Sequence, residues 1–303
     1  MHALSKKTRY LLQGLMFGSA FRVFGGIPLE QASAIGASLG QRLGPLLART
    51  QIARANLAQA FPELNAVEIE RIMIAMWDNL GRVLAEFPHV GKMNKEQFFR
   101  LVTVEGAEYV EEIKRGATGS IFFSGHFANW ELAPKTLAML DCPLALVYRP
   151  GNNPYMDRAI QNTRDHYQTE AVPKGTEGSR QLVRALREKR HIGMLIDQKM
   201  NTGIPVRFLG REAMTATAIA TLALKFDCPV IPTRVVRLKG PYHKVIILPP
   251  LEIRKTGDQD ADIRTLMEAI NGLFEEWIRA APPQWIWVHK RWPAPDQHHA
   301  ALN

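Results

Sequence analysis

Apolar positions along the chain follow two different periods. Over residues 28–60 they recur at helical spacing, with Pro28 near the start. A second helical pattern fills residues 66–87 (AVEIERIMIAMWDNLGRVLAEF) and stops at Pro88, and a third, shorter one covers about 94–101. From about residue 102 the pattern changes. Short β-rich runs at 120–124, 144–148, 192–196, 230–237 and 244–248 alternate with helical stretches at 130–140, 154–168, 179–189, 217–226 and 263–279. That alternation predicts an α/β fold: an open, mixed, largely parallel sheet flanked by helices. The chain then divides into a helical N-terminal region, residues 1–100, and an α/β domain, residues 101–303.

One stretch fits neither period. Residues 10–27 (YLLQGLMFGSAFRVFGGI) hold eleven apolar residues, four glycines and a single charge, Arg22, and Lys6, Lys7 and Arg9 precede them. A segment of this length only just spans a bilayer, and Arg22 is costly at its centre. It reads as a membrane anchor or, more easily, as an interfacial helix whose Arg22 snorkels to the headgroups. No small-x-small cleavage site follows it, which argues against a secretory signal.

Charge sharpens that reading. The chain carries 38 Lys and Arg against 29 Asp and Glu, a formal net charge of +9. Residues 1–60 hold seven of those basic residues and one acid, Glu30. Basic residues beside an apolar helix suit an anionic membrane surface. No zinc finger, RNP motif or basic helix points to nucleic acid. A hydrophobic content of 46% excludes a disordered chain, and one long apolar stretch is too few for a multi-span transporter. Two cysteines exclude a disulfide scaffold and leave no zinc-type ligand set, so no metal or cofactor is expected. Cys142 and Cys228 each stand in Asp-Cys-Pro between a helix end and a strand, which reads as a shared helix-to-strand turn with inert, buried thiols.

The chemistry concentrates in residues 124–132, SGHFANWEL, where a strand gives way to a helix. With His126 in the turn and Glu131 in the first helical turn, Glu131 can reach back to the imidazole. A carboxylate on one ring nitrogen leaves the other free as a general base. Asn129 is a candidate N-cap beside amides that favour an anion, and Gly125 fits a tight turn with close substrate approach. Arg149 follows one predicted strand and Asp197 another. Parallel strands gather their C-terminal ends at one edge, which would bring both near His126. There Arg149 can stabilise an oxyanion or hold a phosphate, and Asp197 can orient Arg149 or His126. No G-x-S-x-G elbow, P-loop or G-x-G-x-x-G competes. A histidine base without a protein nucleophile points to direct attack by a substrate hydroxyl or by water.

These residues resemble a known family. The run GHFANWE, then Tyr148-Arg149-Pro150, then Asp197-Gln198 after an apolar strand, is similar to the bacterial lipid A biosynthesis acyltransferases of the lysophospholipid/glycerolphosphate acyltransferase superfamily. Arg54-Ala55-Asn56-Leu57 with Phe61-Pro62-Glu63, the segment Val206-Arg207-Phe208-Leu209-Gly210, and Trp285-Ile286-Trp287-Val288-His289-Lys290-Arg291-Trp292 carry the resemblance along the chain. Arg207 stands where that family usually has proline. The resemblance implies an enzyme at the cytoplasmic face of the bacterial inner membrane. Its donor would be an acyl carrier protein thioester, or acyl-CoA, and its acceptor a hydroxyl of a phosphorylated lipid A precursor. His126 would be the base and Glu131 its partner. Arg149, Asp197 and Gln198 would belong to the site, with Arg207 and Gly210 among the substrate-binding residues. Two other readings stay open: a different membrane glycolipid or aminolipid acceptor, and a hydrolase in which the same His-Glu pair activates water. The tryptophan-rich C-terminal segment suits either a membrane interface or a buried aromatic turn.

Overall fold

The computed structural model describes residues 5–167 and 169–292; the outermost ends of the two regions expected from the sequence, residues 1–4 and 293–303, lie outside them. Ser5 caps the first helix, α1 (Lys6–Gly26), by accepting from the Thr8 amide at 3.2 Å. The helical pattern of residues 28–60 is two helices, α2 (Leu29–Leu43) and α3 (Arg49–Ala60), separated by a 3₁₀ turn at Gly44–Leu46. Pro45 lacks the N–H that would carry α2 onward. A capping box of Asn65 and Glu68 opens α4 (Ala66–Val90), which runs past the expected stop because Pro88 falls in its last turn.

Then follow α5 (Lys95–Leu101), β1 (Val102–Glu105), α6 (Ala107–Arg115), β2 (Ser120–Ser124), α7 (Leu132–Met139) and β3 (Leu144–Tyr148). After these come α8 (Pro154–Arg164), β4 (Glu170–Pro173), α9 (Thr176–Arg187) and β5 (His191–Leu195). The chain continues through β6 (Lys199–Phe208), β7 (Arg211–Thr215), α10 (Ala218–Phe226), β8 (Val230–Lys239), β9 (Tyr242–Ile247) and α11 (Gln259–Ala280). The main sheet has seven strands in the order β1-β9-β8-β2-β5-β3-β4. From β8 to β4 all neighbours are parallel, whereas β9 runs antiparallel to β8 and carries β1 parallel to itself. The fold is therefore α/β with a mixed, largely parallel sheet flanked by helices. β6 and β7 form a separate hairpin that turns at Leu209-Gly210, both at positive φ (48° and 78°), as a tight two-residue turn requires.

Alternation along the strands sends apolar side chains to both faces. On one face Phe123, Ile192 and Val230 meet α11 and also Leu57, Met73 and Trp77 of the N-terminal helices. On the other, Phe122, Ile231 and Val245 meet Val90 and Phe98. The first hundred residues thus share both apolar clusters with the sheet. The two Asp-Cys-Pro segments adopt one turn: Asp141 and Asp227 take positive φ (57° and 50°), and the next amide bonds back five residues, Cys142 to Leu137 and Cys228 to Ala223. Both thiols are buried, which pushes them up to about 12 and about 11.

α1 buries no residue, and Leu12, Leu15, Met16 and Val23 on it are exposed. It leans on α8 where Gly14 meets Tyr155, and on α4 through an edge-on Phe21–Phe87 pair at 5.8 Å. Among the described residues no helix is long and apolar enough to cross a membrane.

α2 and α4 pack backbone to backbone. A Cβ on Gly40 would lie 2.1 Å from the Trp77 carbonyl oxygen, and one on Gly36 2.4 Å from that of Gly81. Gly40→Val must therefore drive the helices apart. It is expected to cost on the order of 3 kcal/mol and lower the melting temperature by roughly 5–10 °C. Gly272→Ala, on an exposed face of α11 with open space around it, is expected to be neutral or stabilising by about 1 kcal/mol. Thermal unfolding of the two variants beside the native protein checks this.

Candidate active site

β2 and β5 are parallel neighbours in register, Ser124 beside Leu195. Two residues past each paired end stand His126 and Asp197, so the register alone sets them at one height above the sheet edge. The imidazole Nδ1 lies 2.8 Å from Asp197 Oδ1, and the His126 backbone N–H donates to Oδ2 at 2.9 Å. The Trp285 indole donates to the same Oδ2 at 2.8 Å. Gly125 makes the approach possible, because a Cβ there would sit 3.0 Å from Asp197 Cβ. Asp197 is 1% exposed, and His126 is 17% exposed. Burial by itself raises the Asp197 carboxyl; the His126 imidazole and the three hydrogen bonds outweigh it and hold the group well below the usual carboxylate range.

The partner expected for His126 is elsewhere. Glu131 sits at the N-cap position of α7, buried, and its carboxylate takes a bidentate grip from Arg164 of α8 (Nη2–Oε1 2.5 Å, Nε–Oε2 3.0 Å). The sequence spacing placed Glu131 within reach of the turn, but the parallel register delivers Asp197 to the imidazole first. Asn129 does not cap α7. Its side chain is buried and donates to Glu86 Oε2 of α4 at 2.9 Å. Glu86 in turn is held by Arg237 of β8 (2.5 and 3.1 Å) and by Ser33 of α2 (2.7 Å). Burial raises the Glu86 carboxyl too, and Arg237 brings it below its ordinary value.

Gln198, which follows Asp197, places its amide nitrogen 3.3 Å from His126 Nε2 and 3.0 Å from Nε2 of His289. His289 and Trp285 come from the C-terminal segment, where Trp285, Trp287, Arg291 and Trp292 are all buried. The aromatic run is thus a buried turn rather than a surface patch. Neither residue was singled out as a site residue from the sequence, although both stand in the W-x-W-x-H run. Arg149 follows β3 on the same sheet edge but is exposed and makes no bond to His126 or Asp197. Arg207 is exposed near the far end of the β6–β7 hairpin, and Gly210 is in its turn. An apolar cavity of about 200 Å³ opens beside Gln198, lined by Val147, Leu182, Met194 and Ile196 with Lys174 and Lys199 at its edge. A second apolar groove of about 290 Å³ lies away from these residues, between α1, α2 and α4. Among the described residues no group of three or more His, Cys, Asp or Glu has metal-binding geometry.

The Glu131–Arg164 pair is nearly buried, with side chains 6% and 16% exposed. Removing one partner leaves a buried charge alone. Arg164→Met is expected to cost about 3–5 kcal/mol, and Glu131→Gln combined with Arg164→Met to recover much of it. Urea titration of the two single variants and the double variant measures the coupling; independent, additive losses would show that the pair does not act as a unit.

The arrangement is an imidazole held by a buried carboxylate on one nitrogen, with the Gln198 amide facing the other, which is a geometry that suits a general base. The family model described as bacterial lipid A biosynthesis acyltransferase matches residues 2–294. A lipid A biosynthesis lauroyltransferase of Escherichia coli (strain K12) is 25% identical over 291 residues, covering 93% of this chain and 92% of that one. A lipid A biosynthesis palmitoleoyltransferase of the same organism is 24% identical over 271 residues, covering 88% and 86%. Among solved structures, a 1-acyl-sn-glycerophosphate acyltransferase from Thermotoga maritima superposes with a TM-score of 0.39 at 14% identity, covering 79% of this chain and 98% of that one. With a family match running almost from end to end, the chain belongs to the bacterial lipid A biosynthesis acyltransferases.

Proposed function

We propose that the enzyme moves a fatty acyl chain from an acyl carrier protein thioester to a hydroxyl of a lipid A precursor, with His126 as general base and Asp197, rather than Glu131, as its partner. The observation that carries this reading is the 2.8 Å contact of His126 Nδ1 with a buried, ionised Asp197. It fixes the proton on Nδ1 and leaves Nε2 to take one from the acceptor hydroxyl. The hydroxyl oxygen then forms its bond to the thioester carbon. The tetrahedral intermediate collapses with loss of the thiolate, which takes the proton back from His126. A thioester is already activated, so no covalent enzyme intermediate is needed.

Surroundings suit both substrates. The cavity beside Gln198 is apolar, as an acyl chain requires, and burying each methylene is worth about 0.8 kcal/mol. Lys174 and Lys199 at its edge and Arg149 nearby are exposed cations, which fit an acidic carrier and a phosphorylated acceptor. Glu131 serves by fixing α8 against the loop that carries His126. α1 lies in the cytoplasmic interface of the inner membrane, its exposed Leu12, Leu15 and Met16 among the lipids and Arg22 at the headgroups.

The test uses purified enzyme in detergent with an acyl carrier protein thioester and a tetra-acylated lipid A precursor. Mass spectrometry is expected to show one added acyl chain. His126→Ala is expected to abolish transfer, and Asp197→Asn to lower kcat by about 10²–10⁴-fold. Full activity in His126→Ala sinks the reading, and free fatty acid released with acceptor in excess makes the enzyme a hydrolase. Transfer to another glycolipid or aminolipid but not to the lipid A precursor would change the acceptor alone. For α1, Leu15→Glu with Met16→Glu is expected to reduce co-sedimentation with anionic vesicles by about tenfold, and native binding to weaken with salt. Unchanged sedimentation would remove α1 from the membrane.

A further inference from the structure

We propose that Gln198 donates the hydrogen bond that stabilises the oxyanion of the reacting thioester, and that His289 is the positioning residue that aims it. This rests on His126 being the base.

The argument is one of counting protons. An ionised carboxylate only accepts, so the proton of His126 stands on Nδ1, against Asp197. In the neutral ring Nε2 is then an acceptor, and what faces it at 3.3 Å must be a donor. That requires the NH₂ of Gln198 rather than its carbonyl oxygen. The NH₂ has two hydrogens. The second points to Nε2 of His289 at 3.0 Å, so His289 also accepts there and carries its own proton on Nδ1. Burial keeps the His289 imidazole below its ordinary value, which favours the neutral, accepting form. With the amide turned over, both Nε2 atoms would need protons, and His126 could no longer serve as a base.

The two bonds are unequal, and the longer one faces the base. An acceptor hydroxyl arriving at His126 Nε2 takes the place of that longer bond and frees one N–H of Gln198. The amide stays anchored through the shorter bond to His289. Gln198 also lines the apolar cavity, so the freed N–H lies where a thioester carbonyl would sit with its chain in that cavity. As the hydroxyl oxygen adds to the carbonyl carbon, the carbonyl electron pair moves to oxygen and meets this donor. Collapse returns the pair, expels the thiolate and frees the N–H. Arg149, the sequence candidate for the oxyanion, is exposed and off the imidazole; Gln198 is in contact with it.

The backbone that presents His289 does not depend on its side chain. Asn56 donates from Nδ2 to the carbonyl oxygens of Trp287 (2.7 Å) and His289 (2.6 Å). The imidazole can therefore be exchanged with the segment still anchored.

Steady-state kinetics of the full-length enzyme with carrier thioester and lipid A precursor test this on His289→Phe, His289→Leu, His289→Gln and Gln198→Met. The two apolar replacements of His289 and Gln198→Met are expected to lower kcat by about 10²–10³-fold with KM for both substrates within about threefold of native. His289→Gln offers a side-chain oxygen to the same N–H and is expected to restore kcat to within about tenfold. The proposal is overturned by native kcat in His289→Leu or Gln198→Met. It is equally overturned by a His289→Gln enzyme as slow as His289→Leu at equal melting temperature, or by losses confined to KM. In each case His126→Ala must be inactive in the same assay; if His126→Ala is active, the base itself is misassigned and the proposal falls with it.

Discussion

Five backbone pairs, from Ser120 with His191 to Ser124 with Leu195, fix how β2 and β5 leave the sheet. Parallel neighbours lie about 4.8 Å apart, so residues at equal distance past the paired ends arrive within side-chain reach of each other. His126 and Asp197 are such residues, and nearly everything else at the site follows from their meeting. Gly125 is required because Asp197 passes beside it. The Trp285 indole is required because the buried carboxylate has a second oxygen to satisfy. An ionised carboxylate only accepts, which favours a proton on His126 Nδ1. A one-residue slip between β2 and β5 would send one of the two side chains to the opposite face. The buried alternation of Phe122 and Phe123 on the two faces resists such a slip, since each ring would exchange one packed environment for another of different shape.

How much of this was legible differs between fold and site. Strands β2 and β3 stand where the apolar runs put them, and β5, β8 and β9 within a residue or two. β2, β3 and β5 are short, mostly apolar runs inside the sheet, whereas β8 and β9 mix apolar with polar residues. The edge strands were not foreseen. β1 is four residues with exposed Thr103 and Glu105, and β4 ends in Pro173; neither buries enough to leave a pattern. The β6–β7 hairpin, with Gly203 and Pro205 inside it, was visible only as a family motif. At the candidate site, the sequence marks His126 and Asp197 because each follows an apolar strand, and Gln198 through the family resemblance. From the sequence, Asp197 can orient either Arg149 or His126, and Glu131 is expected on the imidazole; the choice of Asp197 comes from strand order and register, which join positions 71 residues apart. Trp285 and His289 reach the site from still farther along the chain, so only their occurrence in one motif marked them. Arg164 and Arg237, which hold the two buried glutamates, left no local signal at all.

The loop from His126 to Glu131 is held from four directions, and that bears on how the site can work. Its first backbone amide goes to Asp197 beyond β5, and the Ala128 amide goes to the Gln284 carbonyl at 2.7 Å. Asn129 goes to Glu86 of α4, and Glu131 to Arg164 of α8. Ala128 needs such restraint. Its φ of 48° is a left-handed conformation that a residue with a Cβ adopts only at a cost of roughly 1–2 kcal/mol. Buried ion pairs of this kind add little net stability, since desolvation offsets most of the attraction. Their effect is geometric: a loop tied through charged, buried partners has few alternative positions, because each alternative strands a charge. On the proposed mechanism the imidazole is then already oriented before substrates arrive, and the reaction need not include reorganisation of the base in its barrier. The same ties couple the site to the helical layer, because Glu86 also binds Ser33 of α2 and Arg237 binds Asn79 of α4. A shift of α2 or α4 therefore cannot occur without moving partners of Asn129. The placement of the N-terminal helices and the aim of His126 are in this way one structural problem, solved by a single buried network.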